Sequence, residues 1–272
     1  MIHDSRKRLG QHFLVSPDVL KKIIAAAELS PNDTVLEIGP GAGALTRALA
    51  RHAGQVIAVE KDERLCRELE AEFGRERISN VRLACGDILK IPLADLGLPR
   101  SYRVIANIPY YLTSRLIRRL LEGERLPSDA FLMVQKEVAL RITARPPDMN
   151  LLGLSIQIYG APEILFFVSR SAFSPPPEVE SAFIAIRDIR PLESRHNAPA
   201  GVLFRIARAA FQGKRKTIEN SLSHNLKIPK ALLAETISWR YLLKKRPEEL
   251  EIREWELISR SLKAYFPESI SD

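Results

Sequence analysis

The sequence predicts an α/β fold, a seven-stranded sheet begun by βαβ units and followed by a small all-α C-terminal domain. Three observations carry this. From residue 34 to 135, short β-branched or apolar runs alternate with longer helical patterns, as parallel βαβ units require. Two more apolar runs flank Ser174-Pro175-Pro176-Pro177, a stretch that fits neither a helix interior nor a central strand. Beyond a polar stretch between Pro191 and Pro199, every pattern is helical. The boundary is placed there, giving domains 1–194 and 195–272.

The elements follow in order. Ser16 and Pro17 read as an N-cap and first helical residue, opening an amphipathic helix toward Glu28. Strands are expected at 34–38, 55–60, 81–85, 103–107 and 130–135, then at 163–168 and 181–186 on either side of the prolines. The C-terminal helices are expected at 202–211, 214–224 and 247–266, the last opened by Pro247.

Of the 272 residues, 46% are hydrophobic, enough to bury a substantial core. No run of eighteen apolar residues is present, and Met1-Ile2-His3-Asp4-Ser5-Arg6-Lys7-Arg8 has no apolar stretch of the signal-peptide kind, so a soluble, cytoplasmic protein is expected. Cys66 and Cys85 make no C-x-x-C pair and are read as reduced packing residues; no metal site is expected. The net charge of +8 is uneven, with +2 in residues 1–14, none in 15–194 and +6 in 195–272. A neutral middle suits a small-molecule site, and basic ends suit a polyanion or a plain solvated surface.

Glu37-Ile38-Gly39-Pro40-Gly41-Ala42-Gly43 follows a strand and opens a helix, a tight turn whose glycines let the backbone approach a ligand. Gly39-x-Gly41-x-x-Ala44 with Glu60 about 20 residues on also satisfies the dinucleotide fingerprint, and the glycines alone leave NAD and S-adenosyl-L-methionine both open. Glu37 would lie close to a pyrophosphate and repel it, whereas a cationic sulfonium ligand meets no such objection. Asp87, after the third strand, suits an adenine amino group while Glu60 suits ribose hydroxyls. These acids at successive strand ends favour the methyl donor.

Asn107-Ile108-Pro109-Tyr110 ends the fourth strand on the same rim. The exocyclic amine of adenine is a poor nucleophile because its lone pair is delocalised. Two acceptors for its N–H bonds, the Asn107 amide oxygen and a carbonyl near Ile108, would leave a lone pair aimed at the methyl group, with Tyr110 stacked on the purine. Positioning and preorganised hydrogen bonds then carry the rate.

Taken with Lys7-Arg8-Leu9-Gly10-Gln11-His12-Phe13-Leu14, Gln135-Lys136-Glu137, Phe173-x-Pro175-Pro176-Pro177-x-Val179-x-Ser181-Ala182 and Lys214-Arg215-Lys216-Thr217, these motifs make the chain resemble the ribosomal RNA adenine dimethyltransferases, in order over residues 6–222. The closest resemblance is to the branch that dimethylates N6 of two adjacent adenosines near the 3′ end of small-subunit ribosomal RNA. It implies a Rossmann-like class I methyltransferase fold, with His12, Leu14, Gly39, Gly41, Glu60, Asp87 and Asn107 around S-adenosyl-L-methionine. Phe173 would sandwich a flipped adenine against Tyr110. Arg6, Lys7, Arg8, Lys214, Arg215 and Lys216 would grip RNA. The implied partner is small-subunit RNA in a 30S assembly intermediate, with no membrane and a monomeric protein.

The chain departs from the family pattern at Leu151-Leu152-Gly153, where a tyrosine-glycine-arginine run is usual, at Glu178 in the proline loop and at Glu219, which removes potential phosphate contacts. The competing readings are a macrolide-resistance type enzyme acting on large-subunit RNA and a non-catalytic RNA-binding or transcription factor on the same scaffold. An NAD-dependent oxidoreductase stands third, without a proton relay to support it.

Overall fold

The structure is a computed structural model that describes residues 12–192, 200–213 and 215–266. The elements run β1 (Phe13–Leu14), α1 (Pro17–Ala27), β2 (Thr34–Ile38), α2 (Ala44–Ala50), β3 (Gln55–Glu60), α3 (Glu63–Arg75), β4 (Val81–Cys85), β5 (Arg103–Asn107), α4 (Thr113–Leu121), β6 (Asp129–Gln135), α5 (Lys136–Thr143), α6 (Leu151–Gln157), β7 (Ala161–Val168), β8 (Phe173–Ser174) and β9 (Ser181–Arg187). The helical end adds α7 (Ala200–Phe211), α8 (Ile218–Leu226), α9 (Lys230–Thr236), α10 (Arg240–Lys244) and α11 (Ile252–Leu262). No helix among the described residues is long and apolar enough to cross a membrane.

Seven strands form one sheet in the order β4-β3-β2-β5-β6-β9-β7. The first five are parallel neighbours, and β9 runs antiparallel to both β6 and β7. The chain leaves β2 toward β3 and β4 and then returns to β5 on the other side of β2. The crevice at the carboxyl ends of β2 and β5 is thus a topological switch point, where open α/β sheets bind ligands. The inner strands are buried on both faces, with Val35, Leu36, Ile57, Val104, Ile105 and Phe131 each at 0% exposure. That is why they read as continuous apolar runs without alternation.

Ser16 caps α1 through its hydroxyl, which accepts from Val19 N, and Pro17 is its first residue as the sequence predicts. A separate two-stranded pairing joins β1 to β8, setting Leu14 opposite Phe173.

The described residues divide into two compact units, one comprising the chain up to Ala139 with Ala161–Ile189, the other Leu140–Gly160 with the chain from Arg190. The expected division at 194/195 leaves 140–160 on the other side. Backbone bonds show what carries this segment across. Met149 N donates to Glu248 O and Arg190 N to Tyr159 O; within the segment itself, the Gln157 side chain ties α6 to the Ile142 and Ala144 carbonyls. The core of this unit includes Phe211 stacked on Trp255 at 5.6 Å between centroids.

Three further expectations change. The helix expected at 247–266 is interrupted: Pro247–Glu249 is a short 3₁₀ turn, Leu250 is extended, and α11 begins after Glu251, which forms a reciprocal capping box with Glu254. The helix expected from 214 starts at Ile218, because the Thr217 hydroxyl caps it by accepting from Asn220 N. Cys66 and Cys85, read as reduced, form a disulfide with Cα atoms 5.9 Å apart, joining α3 to the end of the strand it packs against.

Candidate active site

The ends of β4, β3, β2 and β5 open on one cavity of about 250 Å3 lined by Asp87, Glu60, Glu37 and Asn107 among others. Strand order sets these four residues in a row across the sheet. With neighbouring strands about 4.8 Å apart, the row spans about 14 Å from Asp87 to Asn107. His12, Leu14, Gly39, Gly41, Ile108, Pro109 and Tyr110 line the same cavity.

Gly41 has φ of 57°, and a Cβ on it would lie 2.7 Å from the Phe13 ring. The position therefore needs glycine for its backbone and for its space. Gly41 N donates to Glu60 Oε2 at 3.1 Å, and Asp62 N donates to Oε1 at 2.9 Å. Two backbone donors lock the Glu60 carboxylate against the turn, while its burial pushes its pKa up. At the next strand end, Asp87 accepts from Leu89 N and pairs with Lys61 Nζ at 3.0 Å; the Lys61 ammonium holds its carboxyl below the usual range.

Glu37 differs from both. It is 1% exposed, and its Oε2 has no hydrogen-bond partner. Burial pushes its pKa up to about 8, against a lowering by the Thr46 hydroxyl, and the Glu60 carboxylate adds to the rise.

Asn107 Nδ2 donates to the His12 carbonyl at 3.1 Å. This fixes the amide so that Oδ1 is the atom left to accept from a ligand. In the same motif, Pro109 O accepts from Leu112 N and Tyr110 O from Thr113 Oγ1, and Ile108 lines the cavity beside Asn107. The Tyr110 hydroxyl is hydrogen-bonded to Ser181 Oγ at 2.7 Å, and the ring lies 5.8 Å from that of His12. His12 Nδ1 is 2.9 Å from Pro175 O.

Comparison with known proteins meets this geometry. Residues 2–260 match the family described as ribosomal RNA adenine dimethylase. The chain belongs to that family. Its relatives include a ribosomal RNA small subunit methyltransferase A of Dehalococcoides mccartyi, 44% identical over 255 residues, covering 93% of this chain and 86% of the relative. A protein of the same name from Moorella thermoacetica is 40% identical over 274 residues, covering 94% and 92%. Among solved structures, a dimethyladenosine transferase from Plasmodium falciparum superposes with a TM-score of 0.78 at 29% identity, covering 95% of this chain and 98% of that one. The 23S rRNA methyltransferase ErmE gives a TM-score of 0.71 at 25% identity, covering 92% and 99%.

For this dimethylase the structure brings together every expected cofactor residue and the four-residue motif, but not Phe173. That side chain is 3% exposed, opposite Leu14 and inside the sheet's hydrophobic core, and it does not line the cavity. As placed, its ring has no open face for a base. The exposed aromatic at the cavity is instead Tyr111, 58% exposed. Arg6, Lys7, Arg8 and Lys214 lie outside the described residues.

Arg215 and Lys216 are exposed, and Lys216 lines an open groove of about 520 Å3 with Asn220, Ser223, His224, Lys227 and Lys230. Among the described residues no carboxylate lines it. The sequence reading missed Lys61, Tyr111 and the later groove residues. A signal for the groove was present, since 216, 220, 223, 224 and 227 recur at helical spacing.

Proposed function

We propose that the protein transfers methyl groups from S-adenosyl-L-methionine to N6 of two adjacent adenosines near the 3′ end of small-subunit ribosomal RNA. The observation that carries this is Asn107, held by the His12 carbonyl with Oδ1 presented at the end of a row of acids around one cavity. The acids fit a cationic adenosyl ligand. Asp87 suits the adenine amine and Glu60 the ribose hydroxyls, while Gly41 keeps the wall open for close approach.

The methyl donor, when bound, supplies an electrophilic methyl group. The chain's own residues do the rest. Asn107 Oδ1 and the Ile108 carbonyl accept the two N–H bonds of the target amine and orient its lone pair. Tyr110, steadied by Ser181, offers a ring face to the purine. The groove with Lys216, Lys227 and Lys230 suits RNA phosphates.

The small-subunit reading is supported by relatives at 40–44% identity, above the 25% of the large-subunit enzyme. The substrate is an assembling 30S particle, and the enzyme works as a cytoplasmic monomer.

The test is transfer of labelled methyl groups to small-subunit particles that lack the modification, with dimethyladenosine mapped in the product. Asn107→Ala should lower kcat by about 10²-fold or more while RNA binding stays within about twofold. A variant as active as the parent would remove Asn107 from the chemistry, and label appearing only in large-subunit RNA would overturn the substrate.

A further inference from the structure

The helical unit exposes aromatic rings that its core does not use. Trp239 is 42% exposed and Tyr241 54% exposed, on either side of Arg240 where α10 begins. The helix gives the reason. Leu242 and Leu243 are buried and anchor α10, and turning those two inward leaves Tyr241 and Lys244 together on the outer face. A single exposed ring is ordinary, but two so close in the chain make a patch. Tyr265, 37% exposed, meets Thr236 Oγ1 through its hydroxyl at 3.1 Å, which sets a third ring against the end of α9.

The charge around these rings has one sign. Between Thr236 and Pro247 the chain carries Arg240, Lys244, Lys245 and Arg246 and no acid. Lys245 Nζ lies 5.7 Å from the centre of the Tyr241 ring and pairs with Glu254, so that carboxylate is already neutralised. A second copy of this chain would bring the same cations against these and repel. RNA meets both features, because its phosphates pair with the cations and the π-face of any base stacks on a ring.

We propose that Trp239 and Tyr241 form a stacking site for an unpaired RNA base, separate from the groove lined by Lys216 and Lys230. The groove presents cations and polar side chains and suits phosphates, whereas the rings take a base. Helix α9 connects the two. Lys230 at its start lines the groove, and Thr236 at its end leads to Trp239, so about 10 Å of helix separates them. A base within a duplex has its faces covered by its neighbours, so the site selects single strands, loops or bulges. The inference rests on RNA being the substrate, and holds for RNA of either ribosomal subunit.

The two tryptophans of the chain make the test direct. Trp255 is 0% exposed and stacked on Phe211, so Trp239 is the one whose emission a bound base can quench. The full chain is titrated with short single-stranded oligoadenylate and oligouridylate, and with a duplex of the same length. The single strands should quench saturably, and the duplex should give less than about a third of that signal at equal phosphate concentration. Trp239→Ala should raise the Kd for the single strand about tenfold and Tyr241→Ala about fivefold, with the slope of log K against log salt unchanged, since no phosphate contact is lost. Trp239→Phe keeps a ring, so it should bind within about threefold of the parent, by fluorescence anisotropy of labelled RNA, while losing the quench.

Equal quenching by duplex, a quench that persists in Trp239→Phe, or a Kd within twofold of the parent in either alanine variant overturns the proposal. Trp239 emission that shifts with protein concentration in the absence of RNA, together with a dimer in sedimentation, overturns it in favour of self-association. None of these outcomes touches methyl transfer, which is read separately. The comparison of single strand with duplex uses the parent protein alone, so a misfolded variant does not blunt it.

Discussion

Gly41 shows how several constraints of the cavity wall meet on one residue. Its φ of 57° disfavours a side chain, a Cβ would meet the Phe13 ring at 2.7 Å, and its N–H holds Glu60 Oε2. Gly41→Ala must therefore shift the turn or displace Phe13, and either movement disturbs the Glu60 carboxylate. The expected outcome is a Kd for S-adenosyl-L-homocysteine raised about tenfold or more, with a fall of a few degrees in Tm. Calorimetric titration and thermal melting measure the two. Undiminished binding would show that the turn does not hold the adenosyl ligand. Phe173 makes the contrary case. Its type and motif suggest a stacking ring, but pairing with Leu14 turns it into core.

At the scale of elements, α8 owes its start to a single side chain. Thr217 accepts from Asn220 N, so the helix begins at Ile218 with Lys216 just ahead of the cap. Thr217→Ala should cost about 1 kcal/mol. Tm should then fall by about 2–4 °C in a thermal melt, whereas an unchanged Tm would mean the cap contributes nothing. The inner strands were legible because burial on both faces demands apolar, β-branched runs, and the glycine turn was legible because close backbone approach demands glycine. Other features depend on distant partners. The Cys66–Cys85 disulfide joins a helix to a strand 19 residues on, a separation with no local pattern. Segment 140–160 joins the helical unit through the bonds of Met149 to Glu248 and of Tyr159 to Arg190, which no window of sequence displays. The break near Leu250 was readable in principle, since Glu251 and Glu254 are a capping pair inside an apparently continuous helix.

Over the whole molecule, charge is segregated. Residues 15–194 carry no net charge, whereas 195–272 carry +6, part of it around the groove lined by Lys216, Lys227 and Lys230. If that groove takes RNA phosphates, its contribution is counterion release, which appears as the slope of log K against log salt concentration. Replacing all three lysines by glutamine should reduce that slope by about 2 to 3 and weaken RNA binding most at low salt. The donor cavity, lined by residues of the other unit, should keep its Kd for S-adenosyl-L-homocysteine within about twofold. Filter binding of small-subunit RNA between 50 and 300 mM salt, beside calorimetry with the nucleoside, separates the two effects. An unaltered slope would make the groove a solvated surface and leave RNA capture to Arg215 and the other basic residues, while loss of nucleoside binding would mean that the substitutions had damaged the fold.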